Sequence, residues 1–262
     1  MRRFVFTVLV LGIALPVGAQ DGGPVAPEPD VKSVCPKTAA KGSACAASPS
    51  DPAAPEPAAA ATTPHGGLSK EEIAEGFVPL FDGRSLDGWQ GAIGGYVPEN
   101  GVLVCKKEGG GKLFTVKQYR DFILRFEFKL SPGGNNGVAI RAPLDGRTSR
   151  TGMEIQILDD TAPRYAHLKP YQYHGSIYGL VPAQRGHLRP VGQWNCEEIL
   201  CQGSHIRVTL NGVVIVDADL NQIDKPLDGY DHPGRFRRKG YIGFLGHGTR
   251  VEFRNIRIRE LP

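Results

Sequence analysis

The stretch Phe122-Ile-Leu-Arg-Phe-Glu-Phe-Lys-Leu130 places a large apolar residue at every second position. Side chains of a strand point alternately to its two faces, so this pattern predicts a β-strand with one buried face. Residues 205–216 show the same alternation. Ile206, Val208 and Leu210 alternate with polar residues, and Asn211-Gly212 is followed by a second apolar run. Asn-Gly between two such runs is the strongest short-range signal for a β-hairpin.

Further strands are predicted at 241–245 and 251–258. In the last of these the apolar phase shifts between Phe253 and Ile256, which predicts a bulge near Arg254-Asn255. The sequence has no internal repeat and no long amphipathic helix, and Gly, Pro and Asn separate many short apolar runs. These features predict an all-β fold, a two-sheet antiparallel sandwich of the jelly-roll type.

The first 75 residues predict export and a linker. A cationic start at residues 1–3, an apolar run at 4–15 and small residues at 17–19 are typical of a signal peptide covering 1–19. The apolar run is shorter than the roughly 20 residues that span a bilayer. Residues 20–75 are rich in Ala and Pro and predict a disordered linker with one helical turn capped by Ser69, followed by a folded domain at 76–262.

Location and charge bear on partners. The signal peptide predicts a periplasmic or secreted protein that is not membrane-integral. The net charge is only +4, and the basic cluster 235–239 is typical of a solvated loop, so we expect no nucleic-acid partner. Cys196 and Cys201 lie about 16 Å apart along one predicted strand, too far for a disulfide, while a Cys35–Cys45 bridge stays open.

Two strands carry polar groups beside very small residues. In residues 136–141, Val138 and Ile140 are expected to face the core, which leaves Gly137, Ala139 and Arg141 on the opposite face. In residues 153–160, Glu154 and Gln156 share one face, and Asp159 would need a bulge to join them. We therefore expect a carboxylate and a guanidinium to face a shared hollow.

Several segments, in the same order, resemble the 3-keto-disaccharide hydrolase domain family. They are Phe77-Val-Pro-Leu-Phe-Asp-Gly-Arg-Ser-Leu-Asp-Gly-Trp89, Asn135-Asn-Gly-Val-Ala-Ile-Arg141, Gly152-Met-Glu-Ile-Gln-Ile-Leu-Asp159, Gly192-Gln-Trp-Asn195, Leu210-Asn-Gly212 and Gly246-His-Gly248 with Phe253-Arg-Asn-Ile-Arg-Ile258. The resemblance implies a concanavalin A-like lectin and glucanase jelly roll. It also implies cleavage of glycosides already oxidised to a ketone at C3, and functional coupling to a sugar 3-oxidoreductase.

The spacing Glu154-x-Gln156-x-x-Asp159 is similar to the Glu-x-Asp-x-x-Glu strand of laminarinase-type hydrolases on the same fold. Gln at the middle position and Asp at the last depart from that pattern, which puts direct double displacement in doubt. A C3 ketone acidifies the hydrogen on C2, so a base can start an elimination at C1 that water then completes. Such a route needs a base, a stabiliser for the enolate oxygen and a proton donor.

The resulting hypothesis assigns eight side chains. The catalytic candidates are Glu154 or Asp159 as base, Arg141 or His247 as enolate stabiliser and His174 as proton donor; the substrate-binding candidates are Gln156, Asn136 and Tyr178.

Structural alternatives stand beside these roles. Glu154 could pair with Arg141 across the sheet, Asp159 could cap its own turn, and His174 could belong to a packed loop. No cofactor is expected, although His174, His247, Glu154 and Asp159 could instead gather around a divalent metal. A non-catalytic carbohydrate-binding module and an exported scaffold are the alternative functions.

Overall fold

The computed structural model describes residues 67–262, which form thirteen strands and two short α-helices. The elements are α1 (Lys70–Ala74), β1 (Val78–Pro79), β2 (Trp89–Gly91), β3 (Tyr96–Glu99), β4 (Val102–Cys105), β5 (Gly111–Tyr119), β6 (Phe122–Leu130), β7 (Asn135–Ala142), α2 (Thr148–Thr151), β8 (Met153–Leu158), β9 (Trp194–Gln202), β10 (His205–Leu210), β11 (Val213–Asp219), β12 (Gly240–Gly246) and β13 (Val251–Glu260). Five short 3-10 helices lie in the connections. The helices of this part of the chain are too short to cross a membrane.

The strands form two antiparallel sheets. The larger sheet has eight strands in the order β11-β10-β9-β6-β13-β4-β3, with β1 paired to β13; the smaller has five in the order β2-β5-β12-β7-β8. Strands that neighbour each other in space are often distant in sequence, as in the pairing of β6 with both β9 and β13. This confirms the predicted all-β jelly-roll sandwich.

The core lies between the two sheets. Strand β6 alternates buried and half-buried residues along its whole length, as its sequence predicts. Phe244 of the five-stranded sheet meets Phe253 of the eight-stranded sheet with ring centroids 4.1 Å apart, and Phe126 packs edge-on against Phe244. Each buried aromatic side chain stabilises the fold by about 1.5–3 kcal/mol through removal of apolar surface from water, so these rings hold the sheets together.

Two local predictions are confirmed in detail. Asn211 and Gly212 have φ values of 50° and 87°, the pair of positive angles that a two-residue type I′ hairpin turn needs between β10 and β11. In β13 the register shifts between Arg254 and Arg257, and Asn255 adopts a φ of 50°. The predicted bulge therefore lies where the apolar phase changes.

Helix α1 lies just before residue 76 and contacts the eight-stranded sheet. Helix α1 is capped by Ser69, as predicted, and lies inside the segment predicted as linker. Glu72 N donates to Ser69 Oγ, and the Glu72 carboxylate in turn accepts from Ser69 N. The Glu72 carboxylate accepts a hydrogen bond from Arg257 Nε at 2.7 Å and lies 3.4 Å from Arg125 Nη1, so it attaches the helix to the eight-stranded sheet. The predicted signal peptide, most of the linker and Cys35 and Cys45 lie outside the described residues.

Candidate active site

The outer face of the five-stranded sheet carries a second apolar cluster, separate from the core. It consists of Phe114, Ala139, Ala142 and Leu245 with Tyr241 packed against them. The strand register aligns Phe114, Gly243, Ala139 and Glu154 in one row across β5, β12, β7 and β8. Two of the four positions in this row have almost no side chain, and the row ends in a carboxylate.

A short segment, residues 175–178, continues the sheet beyond β8, and we call it the edge segment. Gly175 N donates to Gln156 O at 2.7 Å, Gln156 N donates to Ser176 O at 3.0 Å, and Tyr178 N donates to Glu154 O at 2.9 Å. Ile177 is fully buried opposite Ile155. Because side chains alternate, Tyr178 lies beside Glu154 on the outer face.

Glu154 lies over a glycine and carries no hydrogen bond. A Cβ on Gly137 would lie 2.9 Å from Glu154 Cγ, so the carboxylate occupies the space that glycine leaves. The side chain of Glu154 is 10% exposed. No donor among residues 67–262 bonds to its oxygens, and the nearest ionisable side chain in this part of the chain is the half-exposed His247, whose Nε2 is 3.8 Å from Oε1. The lone pairs of this carboxylate are therefore available to a ligand.

Gln156 and Tyr178 flank the carboxylate. Gln156 shares the outer face with Glu154, as predicted, and its Nε2 donates to Asn135 Oδ1 at 2.9 Å. The hydroxyl of Tyr178 accepts a hydrogen bond from Gln172 Nε2 at 2.8 Å, which fixes the ring. The structure thus brings together Glu154, His247, Gln156 and Tyr178 of the eight predicted residues.

Arg141 does not face this site, and the expected shared hollow with Glu154 is wrong. Its side chain is fully buried and donates to Arg120 O at 2.9 Å, Gly203 O at 2.6 Å, Arg237 O at 3.2 Å and Asp121 Oδ1 at 2.7 Å. Strand β7 has one residue more than β12 across the interval from Ala139 to Ala142, and Arg141 has a φ of 47°. This bulge breaks the period-two alternation on which the prediction depended.

Asp159 caps a turn, the structural alternative to a base. Its Oδ2 accepts from Gly133 N at 2.7 Å, and its Oδ1 accepts from Thr161 N at 3.0 Å and Thr161 Oγ1 at 2.6 Å. Burial raises the pKa of Asp159, but the hydrogen bonds from Thr161 and Gly133 outweigh burial and hold that pKa below its ordinary value. A carboxylate with its oxygens so engaged is a poor proton acceptor for a substrate.

His174 and Asn136 point into the interior rather than to the outer face, so the structure does not bring them together with Glu154. His174 is 3% exposed, its ring packs 5.1 Å from the ring of Phe128, and its Nε2 lies 3.2 Å from Glu197 Oε2. That approach is too oblique for a hydrogen bond, and the Glu197 carboxylate has no hydrogen bond to any group of residues 67–262. Asn136 is fully buried and accepts from the backbone of Leu245 at 2.9 Å.

The alternative metal set is also divided. His174 and Asp159 make the contacts given above, and neither contacts Glu154 or His247. Across the described range 67–262, no three His, Cys, Asp or Glu side chains gather as metal ligands would.

A polar group that was not among the predicted site residues lies beside the edge segment. Leu227 N donates to Gly179 O at 2.7 Å, which brings Asp228, Tyr230 and His232 next to the end of the edge segment. Gly179 has room for no side chain because a Cβ there would lie 2.6 Å from the ring of His232. The available signal was the composition of Leu227-Asp-Gly-Tyr-Asp-His232, where two carboxylates, a tyrosine and a histidine surround a turn glycine.

The sequence of this chain is similar to a known protein family and to a named relative. A family model described as a 3-keto-alpha-glucoside-1,2-lyase-like domain matches residues 76–259. A 3-keto-disaccharide hydrolase of Bacteroides thetaiotaomicron is 26% identical over 230 residues, which cover 72% of this chain and 79% of the relative.

Two solved structures from Parabacteroides distasonis, both provisionally named glycosyl hydrolases, share the architecture. One is 32% identical with a TM-score of 0.64, and the match covers 71% of this chain and 99% of that protein. The other is 26% identical with a TM-score of 0.65, and the match covers 75% and 99%.

Proposed function

This chain belongs to the 3-keto-alpha-glucoside-1,2-lyase-like domain family, a glycosidase-like enzyme family, and we propose that it cleaves 3-keto-disaccharides by elimination followed by hydration. The relative from Bacteroides thetaiotaomicron, named a 3-keto-disaccharide hydrolase, supports the substrate class. The family description names a 1,2-lyase, and loss of a group across C1 and C2 is an elimination.

Glu154 is the base in the proposed reaction. Its carboxylate removes the proton from C2, and the electron pair moves to the C3 ketone to form an enolate. The enolate then expels the C1 oxygen, giving a C1–C2 double bond conjugated to the ketone, and the proton held by Glu154 passes to the departing oxygen. Water adds to C1 and a proton returns to C2, so the net change is hydrolysis.

In the proposed reaction, His247 stabilises the enolate oxygen by donating a hydrogen bond to it. It is the ionisable neighbour of Glu154 in the described chain, and its half-exposed side chain can reach a ligand bound over Gly137 and Ala139. A hydrogen-bond donor aimed at a developing oxyanion is commonly worth about 2.7–4 kcal/mol in the transition state. Gln156 and Tyr178 flank the same position and orient the sugar through its hydroxyl groups.

The observation that carries this proposal is the unpartnered carboxylate of Glu154 on a face lined with glycine and alanine. Asp159, the other candidate base, has its oxygens engaged by Gly133 and Thr161. Glu197 also lacks hydrogen bonds within residues 67–262, but it is buried in the other sheet beside His174 and does not face a ligand on the outer surface. A carboxylate whose ordinary partners are missing is available for a proton of the substrate. A purely structural strand acid would be expected to bond to its neighbours.

The test compares Glu154→Gln with Glu108→Gln, which changes an exposed acid in the connection between β4 and β5. Each protein is incubated with 3-keto-trehalose, and free sugar is measured by chromatography. Loss of the base should lower kcat about 10²–10⁴-fold, whereas the Glu108 variant should match the wild type. Unchanged release from the Glu154 variant would remove Glu154 as the base.

A second measurement separates the two possible routes. In D2O, elimination and hydration place deuterium on C2 of the released keto-sugar, and direct displacement at C1 does not require it. Unoxidised trehalose should stay intact, because its C2 hydrogen is not acidic. Binding of several keto-disaccharides without release by the wild type would favour the carbohydrate-binding module instead.

We also propose that the protein is exported and that its substrate is supplied by a second enzyme; both proposals depend on sequence and chemistry alone. Residues 1–19 favour export to the periplasm or the medium, which N-terminal analysis of the mature protein would check by finding a start near residue 20. The substrate carries a ketone in place of a hydroxyl, so an oxidoreductase acting on C3 of a sugar must supply it.

A further inference from the structure

Three tyrosines form a border beside the edge segment. Tyr178 lies beside Glu154, its ring meets the ring of Tyr171 edge-on with centroids 6.1 Å apart, and Tyr230 is 55% exposed. Asp228 packs against Gly179, which directly follows Tyr178, and Tyr230 N donates to Asp228 Oδ1 at 3.1 Å, so Tyr230 belongs to the same border. Burial raises the pKa of Tyr171, and the charge of Asp228 raises it further. Aromatic surface therefore continues outward from the site of bond cleavage.

Two charged side chains, Arg150 and Asp228, lie beside these rings and have unused hydrogen-bonding groups. The guanidinium of Arg150 lies 3.5 Å from the ring centroid of Tyr230, and no acceptor within residues 67–262 bonds to any of its N–H groups. One of those groups, Nε, is buried. Asp228 accepts from Tyr230 N at 3.1 Å and from His232 Nε2 at 2.9 Å, both through Oδ1, and its Oδ2 has no donor in the described chain.

This group is rigid. The ring of His232 is fully buried and packs on Gly179, where φ is 77° and a Cβ would lie 3.0 Å from Asp228 Cγ. Gly179 directly follows Tyr178, so the position of Asp228 is coupled to that of the edge segment. Rigid supporting contacts of this kind reduce the entropic cost of binding a ligand.

We propose that Tyr171, Tyr178, Tyr230, Arg150 and Asp228 form the subsite for the second sugar of the disaccharide, the one that leaves. The inference rests on the proposed function and extends it. A pyranose has an apolar C–H face that stacks on aromatic rings. Its neighbouring hydroxyl groups both accept and donate hydrogen bonds, which matches the free N–H groups of Arg150 and the free oxygen of Asp228.

The chemistry predicts a leaving group that is itself a sugar. A methyl or other small alkyl group would fill none of these contacts, so the subsite should contribute to cleavage of keto-disaccharides and not to cleavage of a methyl 3-keto-glucoside. Interactions with the non-reacting part of a substrate increase kcat/KM for the larger substrate alone.

The test measures kcat/KM of the full-length protein and of Tyr230→Ala and Arg150→Gln on 3-keto-trehalose and on methyl 3-keto-glucoside. Phe236→Ala is the matched control, since that ring is 60% exposed and packs on Arg235. We expect each subsite variant to lose about tenfold on the disaccharide and less than about twofold on the methyl glycoside. The control should keep both activities.

Equal losses on both substrates, or no loss on either, would overturn the subsite while the wild-type activity upholds the proposed function. A wild type that cleaves neither substrate would overturn the proposed function, and the subsite with it. Melting temperatures of both variants within about 2 °C of the wild type would exclude unfolding as the cause of a loss.

Discussion

Replacing Arg141 by methionine tests whether this arginine supports the fold or the reaction. The guanidinium makes four hydrogen bonds, three to the carbonyl groups of Arg120, Gly203 and Arg237 and one to Asp121, and its side chain has no exposed surface. Methionine keeps much of the apolar stem but leaves these acceptors without a donor. Breaking a buried ion pair by removing one partner costs about 3–5 kcal/mol.

The expected result is a fall of about 3–5 kcal/mol in the free energy of unfolding, measured by urea titration with intrinsic fluorescence. For a domain of this size that corresponds to roughly 6–20 °C in melting temperature. Turnover of 3-keto-trehalose by the folded fraction should stay within about threefold of the wild type, because Arg141 does not reach the outer face.

The control is Arg120→Met, which removes the other arginine beside Asp121, one whose side chain is 73% exposed. It should cost less than about 1 kcal/mol. Adding Asp121→Asn to Arg141→Met should recover part of the loss, since the carboxylate then no longer lacks its cation. A variant that unfolds like the wild type but has lost more than about tenfold in turnover would refute the structural role and return Arg141 to the reacting sugar.

Two further changes test the site and its surroundings. Gly137→Ala places a Cβ 3.0 Å from the carboxyl carbon of Glu154, so the flexible carboxylate must move. We expect kcat to fall about 10²-fold with little change in melting temperature. Gly94→Ala, where a Cβ meets nothing within 4 Å, is the control, and equal activity of the two variants would contradict the reasoning. Asp159→Asn should cost about 1.5–3 kcal/mol near pH 7, because the ionised carboxylate accepts hydrogen bonds that an amide cannot fully replace. Folding lowers the pKa of Asp159, so this contribution is present above the carboxyl's unfolded pKa of about 3.9 and is lost as the pH falls through the folded pKa. Thermal unfolding from pH 7 to pH 3 should therefore show the difference in stability between wild type and variant becoming smaller. A difference that stays constant over this range would count against the assignment.

Local patterns predicted the strands well. The alternation in β6, the Asn211-Gly212 hairpin and the phase change in β13 each depend on residues a few positions apart, and the structure has all three. The same reasoning placed Glu154 and Gln156 on one face correctly, because β8 runs without interruption from Met153 to Leu158.

The same reasoning failed where a local irregularity or a distant partner decided the outcome. In the sequence, Arg141 fits the alternation of β7. In the structure, β7 has one residue more than the facing part of β12, and this bulge turns Arg141 toward Asp121 and Gly203. His174 lies in a segment rich in aromatic and hydroxyl groups, yet its ring is buried against Phe128 and beside Glu197 of the other sheet.

By itself, then, the sequence determined the all-β class, the positions of most strands and turns, and a pair of candidate carboxylates, Glu154 and Asp159, on which the proposed chemistry could depend. These follow from period-two burial and from the backbone angles that Gly and Asn accept, which are properties of neighbouring residues. The tertiary structure alone decided which polar groups meet. Whether Arg141, Asp159 and His174 find protein partners or face a substrate depends on hydrogen bonds and ion pairs between segments as far as 96 residues apart, and no local spacing encodes those distances.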